Sequence, residues 1–100
     1  MPTSWQDLKT KRLDAMNPAE RTEYDRAYAA AKLAAEVGDR VRQAREAAGI
    51  SQRELARRMG TSQAAVDRLE AGGVGATLTT LQRVATALGL TVIVDLKATA

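Results

Sequence analysis

Residues 51–72, SQRELARRMGTSQAAVDRLEAG, decide how this chain folds. Ser51-Gln52-Arg53-Glu54 is a capping box, in which the serine oxygen accepts from the backbone three residues on and the glutamate reaches back. A helix therefore begins at Gln52, carries Leu55, Ala56 and Met59 inward, and stops at Gly60. Thr61-Ser62 reopens the chain, and Ser62 caps a further helix from Gln63 to Ala71. At about 100° per residue, Ala65, Val66, Leu69 and Glu70 share one arc of that helix, which can face a core. Gln63, Ala64, Asp67, Arg68 and Ala71 share the opposite arc, which is small and polar.

Downstream, Gly72-Gly73-Val74-Gly75 reads as a loop. Thr77 caps another helix with Leu78, Leu81, Val84, Ala85 and Leu88 inward and Gly89 closing it. Leu90 to Leu96 is rich in β-branched residues and reads as a short strand. Upstream, Gly49 ends a long helix over about 18–48. Its start, Asn17-Pro18-Ala19-Glu20, combines a capping Asn, Pro at the first helical position and Glu three after the cap. The stripe Leu33, Val37, Val41, Ala44, Ala48 crosses Gly38 without losing phase, so the helix continues there, with Gly38 the place for a bend. Residues 4–14 are a short amphipathic stretch with Trp5, Leu8 and Arg12 on one side. The expected fold is mainly α: a helical bundle with an N-terminal helical arm and one short C-terminal β-strand. The chain divides into an arm (1–36), a central domain (37–89) and a tail (90–100).

Composition removes whole classes of function. The 100 residues include no Cys and no His. A cysteine nucleophile, a Ser-His-Asp triad and a zinc cluster are therefore impossible, and disulfides are absent. No catalytic constellation stands out, so no enzyme, no cofactor and no metal are expected. Met1 to Asp14 has no apolar core of a signal peptide, and no apolar run approaches the roughly 20 residues of a membrane span. The expected location is cytoplasmic. The 15 basic and 12 acidic side chains give a net +3, unevenly placed: residues 1–36 are neutral. Six arginines (Arg40, Arg42, Arg45, Arg53, Arg57, Arg58) stand against two glutamates over 40–58. Such a block suits a polyanion, most often nucleic acid; it also suits a solvated helix face.

Two short helices joined by Met59-Gly60-Thr61-Ser62 have the spacing of a helix-turn-helix, which also serves as a plain packing corner. A DNA major groove admits a helix, and Gln63 and Arg68 have the geometry to read adenine and guanine edges. Three separated motifs, Ile50 to Ala56, Met59 to Gly72 and Leu78 to Gly89, resemble the Cro/repressor-type (XRE) helix-turn-helix family over about residues 37–89. The resemblance implies a phosphate contact at Gln52 and groove contacts at Gln63, Ala64 and Arg68. It also implies a structural pair between Arg45 and Glu70. Arg53, Thr61, Thr77 and Thr79 are candidate phosphate contacts. The loop Gly72 to Ala76 departs from the family in lacking Lys or Arg, so backbone N–H groups and the Thr77 and Thr79 hydroxyls are left to serve. Asp67 departs too: on the groove-facing arc it either accepts from a cytosine amino group or weakens binding by repelling phosphate.

The flanks point to partners. A lone strand needs a mate: its own copy in a homodimer, another protein, or none if the tail stays extended. All three aromatics lie in the arm. Trp5, Leu8, Tyr24 and Tyr28 are candidates for a protein contact, or for packing within the chain. This layout resembles HigA-type antitoxins of toxin–antitoxin systems. The resemblance implies a RelE/HigB-like ribonuclease toxin as one partner and a palindromic double-stranded DNA operator, repressed by the dimer, as the other. The alternative is a stand-alone repressor of the same family with no toxin partner.

Overall fold

A computed structural model describes residues 4–99 of the chain. Among the described residues five helices follow one another: α1 (Trp5–Asp14), α2 (Pro18–Ala47), α3 (Gln52–Met59), α4 (Gln63–Gly72) and α5 (Leu78–Leu88). They fall into two compact units, one up to Lys32 and one from Leu33 onward.

In the first unit, helix ends are set by local hydrogen bonds. The Ser4 hydroxyl accepts from the Asp7 N–H at 3.1 Å. At the start of α2 the Asn17 carbonyl oxygen accepts from the Glu20 N–H at 2.8 Å, and the Asn17 amide donates to the Glu20 carboxylate at 3.0 Å. The first bond satisfies a backbone N–H that a bare helix end leaves open, and the second ties the two side chains together. Tyr24 and Tyr28 stack one turn apart at 6.4 Å between ring centroids, and the Lys9 ammonium lies 5.4 Å from the Tyr28 ring. No residue of α1 is buried.

The second unit holds the core. Val41 from α2, Leu55 and Ala56 from α3, Val66 and Leu69 from α4 and Val84 from α5 form one buried cluster, with Ile50, Met59, Leu81 and Leu88 packed around it. The caps are Ser51 to the Glu54 N–H (3.0 Å), Ser62 to the Ala65 N–H (3.1 Å) and Thr77 to the Thr80 N–H (3.1 Å). Gly60 closes α3 at φ +72°, where the chain must turn sharply into α4 and any side chain would be strained.

Gly38 has a task that the helical stripe did not show. A β-carbon there would lie 2.5 Å from the Leu69 carbonyl oxygen and 2.9 Å from that of Glu70. Its missing side chain lets α2 pack directly on the backbone at the end of α4. Gly73 mirrors it: a β-carbon there would stand 2.0 Å from the Ala34 carbonyl oxygen.

The C-terminal β-strand needs correction. Residues 90–99 have no regular secondary structure, and no strand exists among the described residues. The reason is pairing. A strand is defined by ladder hydrogen bonds, and among the described residues no backbone hydrogen bond reaches 91–96. At the root of this segment the Leu90 N–H donates to the Ala85 carbonyl at 2.8 Å.

Candidate nucleic-acid interface

Helix α4 has two faces of opposite character. Val66, Leu69 and Glu70 are buried, while Gln63, Ala64, Asp67, Arg68 and Ala71 are exposed. Gln63 and Arg68 make no side-chain hydrogen bond or ion pair among the described residues, so their donors are available to a ligand. The α3–turn–α4 corner is tied by backbone: the Thr61 N–H donates to Ala56 at 2.9 Å, which leaves the exposed Thr61 hydroxyl open.

The buried carboxylate locks α4 onto the rest of the domain. Arg45 donates from Nε to Glu70 Oε2 at 2.7 Å and from Nη2 to Oε1 at 2.9 Å, a two-bonded fork. Its third arm donates to the Ile50 carbonyl at 2.9 Å. Gln52 adds a bond from Nε2 to Glu70 Oε1 at 3.2 Å. The side chain of Glu70 is only 3% exposed and that of Arg45 13%. Burial pushes the Glu70 carboxyl up, but the bonds from Arg45 and Gln52 and the charges of Arg45 and Arg42 outweigh it, so it ionises below its ordinary 4.5. The hydrogen bond to Glu70 in turn raises Arg45. Every buried side-chain polar atom among the described residues has a partner.

The arginine block is largely neutralised within the chain. Arg42 pairs with Asp39 at 3.1 Å. Glu54 holds Arg57 at 2.6 Å and Arg58 at 3.0 Å. Those two hydrogen bonds, Arg57 first, bring the Glu54 carboxyl down to about 2. Arg58 also donates to the Ala87 carbonyl at 3.3 Å. With Arg45 occupied, only Arg40 and Arg53 of the six lack an ion pair among the described residues. Of these, Arg53 lies in the first turn of α3. The Glu54 clamp passed unnoticed in the sequence, although its spacing of three and four on one helix is the signal for it.

The remaining candidates separate. Gln52 is half-buried, and its amide is committed to two carboxylates, Glu70 and, at 3.4 Å, Asp67. The Thr77 hydroxyl is spent on Thr80, accepting from its N–H and donating to its hydroxyl at 3.0 Å. Thr80 was not foreseen in this role. Thr79 is exposed and unoccupied. In the loop, the N–H groups of Gly73, Ala76 and Thr77 bond internally, leaving those of Val74 and Gly75 open. In the first unit, Trp5 is 69% exposed, Leu8 52% and Tyr28 56%. Tyr24 is half-buried and lines a shallow depression with Trp5, Leu8 and Leu13. Among the described residues no cluster of three or more acidic side chains could hold a metal ion. None of the described helices is long and apolar enough to cross a membrane.

This geometry is that of a helix-turn-helix domain: two short helices at a glycine corner, the second locked on its inner face and open on its outer one. The helix-turn-helix family model matches residues 41–93, and the chain belongs to that family, of the XRE type. Its coarse functional class is accordingly that of DNA-binding transcription regulators. No curated protein and no solved structure matches the chain.

Proposed function

We propose that this protein regulates transcription by laying α4 in the major groove of DNA, as a binding protein rather than an enzyme. The observation that carries this reading is the outer face of α4. Gln63 and Arg68 stand exposed with unspent donors on a helix whose inner face is fixed by the Arg45–Glu70 fork. Arg53 at the start of α3, the Thr61 hydroxyl just before α4, the Thr79 hydroxyl and the open loop N–H groups supply the phosphate contacts in this reading. The test is fluorescence anisotropy on labelled duplex across a salt series. Binding at low salt that weakens linearly in log salt supports the reading; no affinity for any duplex at low salt sinks it.

The groove-reading unit acts as a dimer on a palindromic operator, with two α4 helices about 34–36 Å apart. Its support lies in an open apolar groove of about 740 Å³ lined by Leu33, Val37, Val41, Leu81, Val84 and Ile93. The tail beside it exposes Ile93, Val94 and Leu96. Arg40, Glu36 and Asp95 border the same groove, so a second copy related by a two-fold axis meets opposite charge. We assign the groove to that second copy.

The arm supports a second partner. Trp5 and Leu8, exposed on a short helix with no buried residue, and Tyr28, exposed on the first part of α2, fit a protein contact. We propose that this contact neutralises a RelE/HigB-like ribonuclease toxin, the protein acting as an antitoxin. Co-expression with a toxic neighbouring reading frame tests this. Rescue that is lost in Trp5→Ala/Leu8→Ala while duplex binding persists supports it; no rescue with any adjacent small gene refutes it and leaves a stand-alone repressor.

A further inference from the structure

We infer that Asp67 selects the base it faces, its carboxylate accepting from an exocyclic amino group in the major groove while the Gln52 amide positions it. This rests on α4 being the groove-facing helix. Five acidic residues lie between Val37 and Ile93. Four have a cation: Asp39 with Arg42 at 3.1 Å, Glu46 with Arg45 at 3.9 Å, Glu54 with Arg57 at 2.6 Å and Glu70 with Arg45 at 2.7 Å. Asp67 alone has none among the described residues. It stands on the exposed arc with Gln63, Ala64 and Arg68, where an uncompensated negative charge opposes the phosphates of any duplex.

Asp67 differs from an ordinary solvated carboxylate in being held. Gln52 Nε2 donates to Asp67 Oδ1 at 3.4 Å and to Glu70 Oε1 at 3.2 Å, so its two amide hydrogens reach one carboxylate each. Glu70 is fixed by the Arg45 fork, and Arg45 by the Ile50 carbonyl. A continuous series of hydrogen bonds thus runs from the buried side of α4 to the surface and ends on Asp67. With both hydrogens used, Gln52 acts as a positioning residue and not as the phosphate ligand implied by its place in the motif.

The chemistry follows from what an ionised carboxylate can do. It only accepts. In the major groove, cytosine N4 and adenine N6 donate, whereas guanine O6 and N7 and thymine O4 accept and are repelled. The repulsion from phosphate applies to every sequence, but the compensating bond forms only where an amino group faces Asp67. The residue therefore lowers general affinity and sharpens choice.

Selection of bound duplexes from a randomised library, compared for the wild type, Asp67→Ala, Asp67→Asn and Gln52→Ala, tests this. The wild type should enrich cytosine or adenine at one position of each half-site, and which of the two emerges identifies the amino group. Asp67→Ala should lose about 5- to 150-fold of that discrimination, the range expected for one good base contact. Other positions should be unaltered. Asp67→Asn, which adds a donor, should admit guanine or thymine there, and Gln52→Ala should blur the same position. An Asp67→Ala protein that binds all sequences equally more tightly with unchanged preference overturns the inference and leaves the groove-reading function standing. A wild type that binds no duplex overturns both.

Discussion

Glu70 is a charged side chain in a place that disfavours charge, and it is held there by the company it keeps. Taking a carboxylate out of water costs several kcal/mol, recovered only when its lone pairs are well met. Arg45 and Gln52 meet them with three bonds between 2.7 and 3.2 Å. Removing one partner leaves the other charge buried and alone. Glu70→Ala should therefore lower the unfolding free energy by about 3–5 kcal/mol in denaturant titration, and a loss below 1 kcal/mol would mean the pair is dispensable. Acid should act through the same groups. Glu70 and Glu54 both ionise below the ordinary 4.5, Glu54 at about 2. A carboxylate whose pKa falls on folding stabilises the fold above its unfolded value and gives that stability up as pH drops. The denaturant midpoint should hold above pH 4.5 and fall progressively towards about 2; a midpoint flat across that window contradicts the assignment. The Arg45–Glu70 pairing was readable from the motif. The commitment of Gln52 to Asp67 was not, because it depends on α3 and α4 crossing at one angle.

At the scale of elements, helix starts were the most legible feature. Ser51, Ser62 and Thr77 each cap through a bond to the residue three further on, and such bonds involve no distant neighbour. Glycine was legible only where it ends a helix. Gly38 lies inside one, and its role depends on which backbone passes beside it. Gly38→Ala would force a β-carbon against two carbonyl oxygens, and thermal unfolding should show a loss of about 1–3 kcal/mol or more. Gly72→Ala is the contrast. Nothing lies within 4 Å of the new carbon, so the helix should gain up to about 1 kcal/mol. Equal effects at the two positions would refute the close-packing account. The segment Leu90 to Leu96 has strand-like residues without a strand. Residue preference describes a fit to a sheet, and among the described residues there is no sheet to fit.

For the whole molecule, the net +3 overstates what a polyanion meets. Two thirds of the 40–58 arginine block is spent on internal carboxylates. Six phosphate-bound arginines per protomer would give a log–log salt slope near about −5; Arg53 and Arg68 alone give about −2. A measured slope of about −4, the value for four arginines, would show that the Glu54 clamp opens on DNA and frees Arg57 and Arg58. Quaternary structure belongs to this scale too. Ile93→Asp, on the most solvent-facing part of the groove, should shift sedimentation towards monomer and weaken operator binding; an unchanged dimer would place the interface elsewhere. By itself the sequence determined the helices, their caps, the turn between α3 and α4, and the absence of thiol and imidazole chemistry. These depend on spacing and residue type within a few neighbours. Only the tertiary structure decided which arginines remain free, that Gly38 is a close backbone contact, and that Asp67 is held at the surface by Gln52. Each of these depends on residues far apart in sequence meeting at hydrogen-bond or van der Waals distance, and helical periodicity carries no record of such meetings.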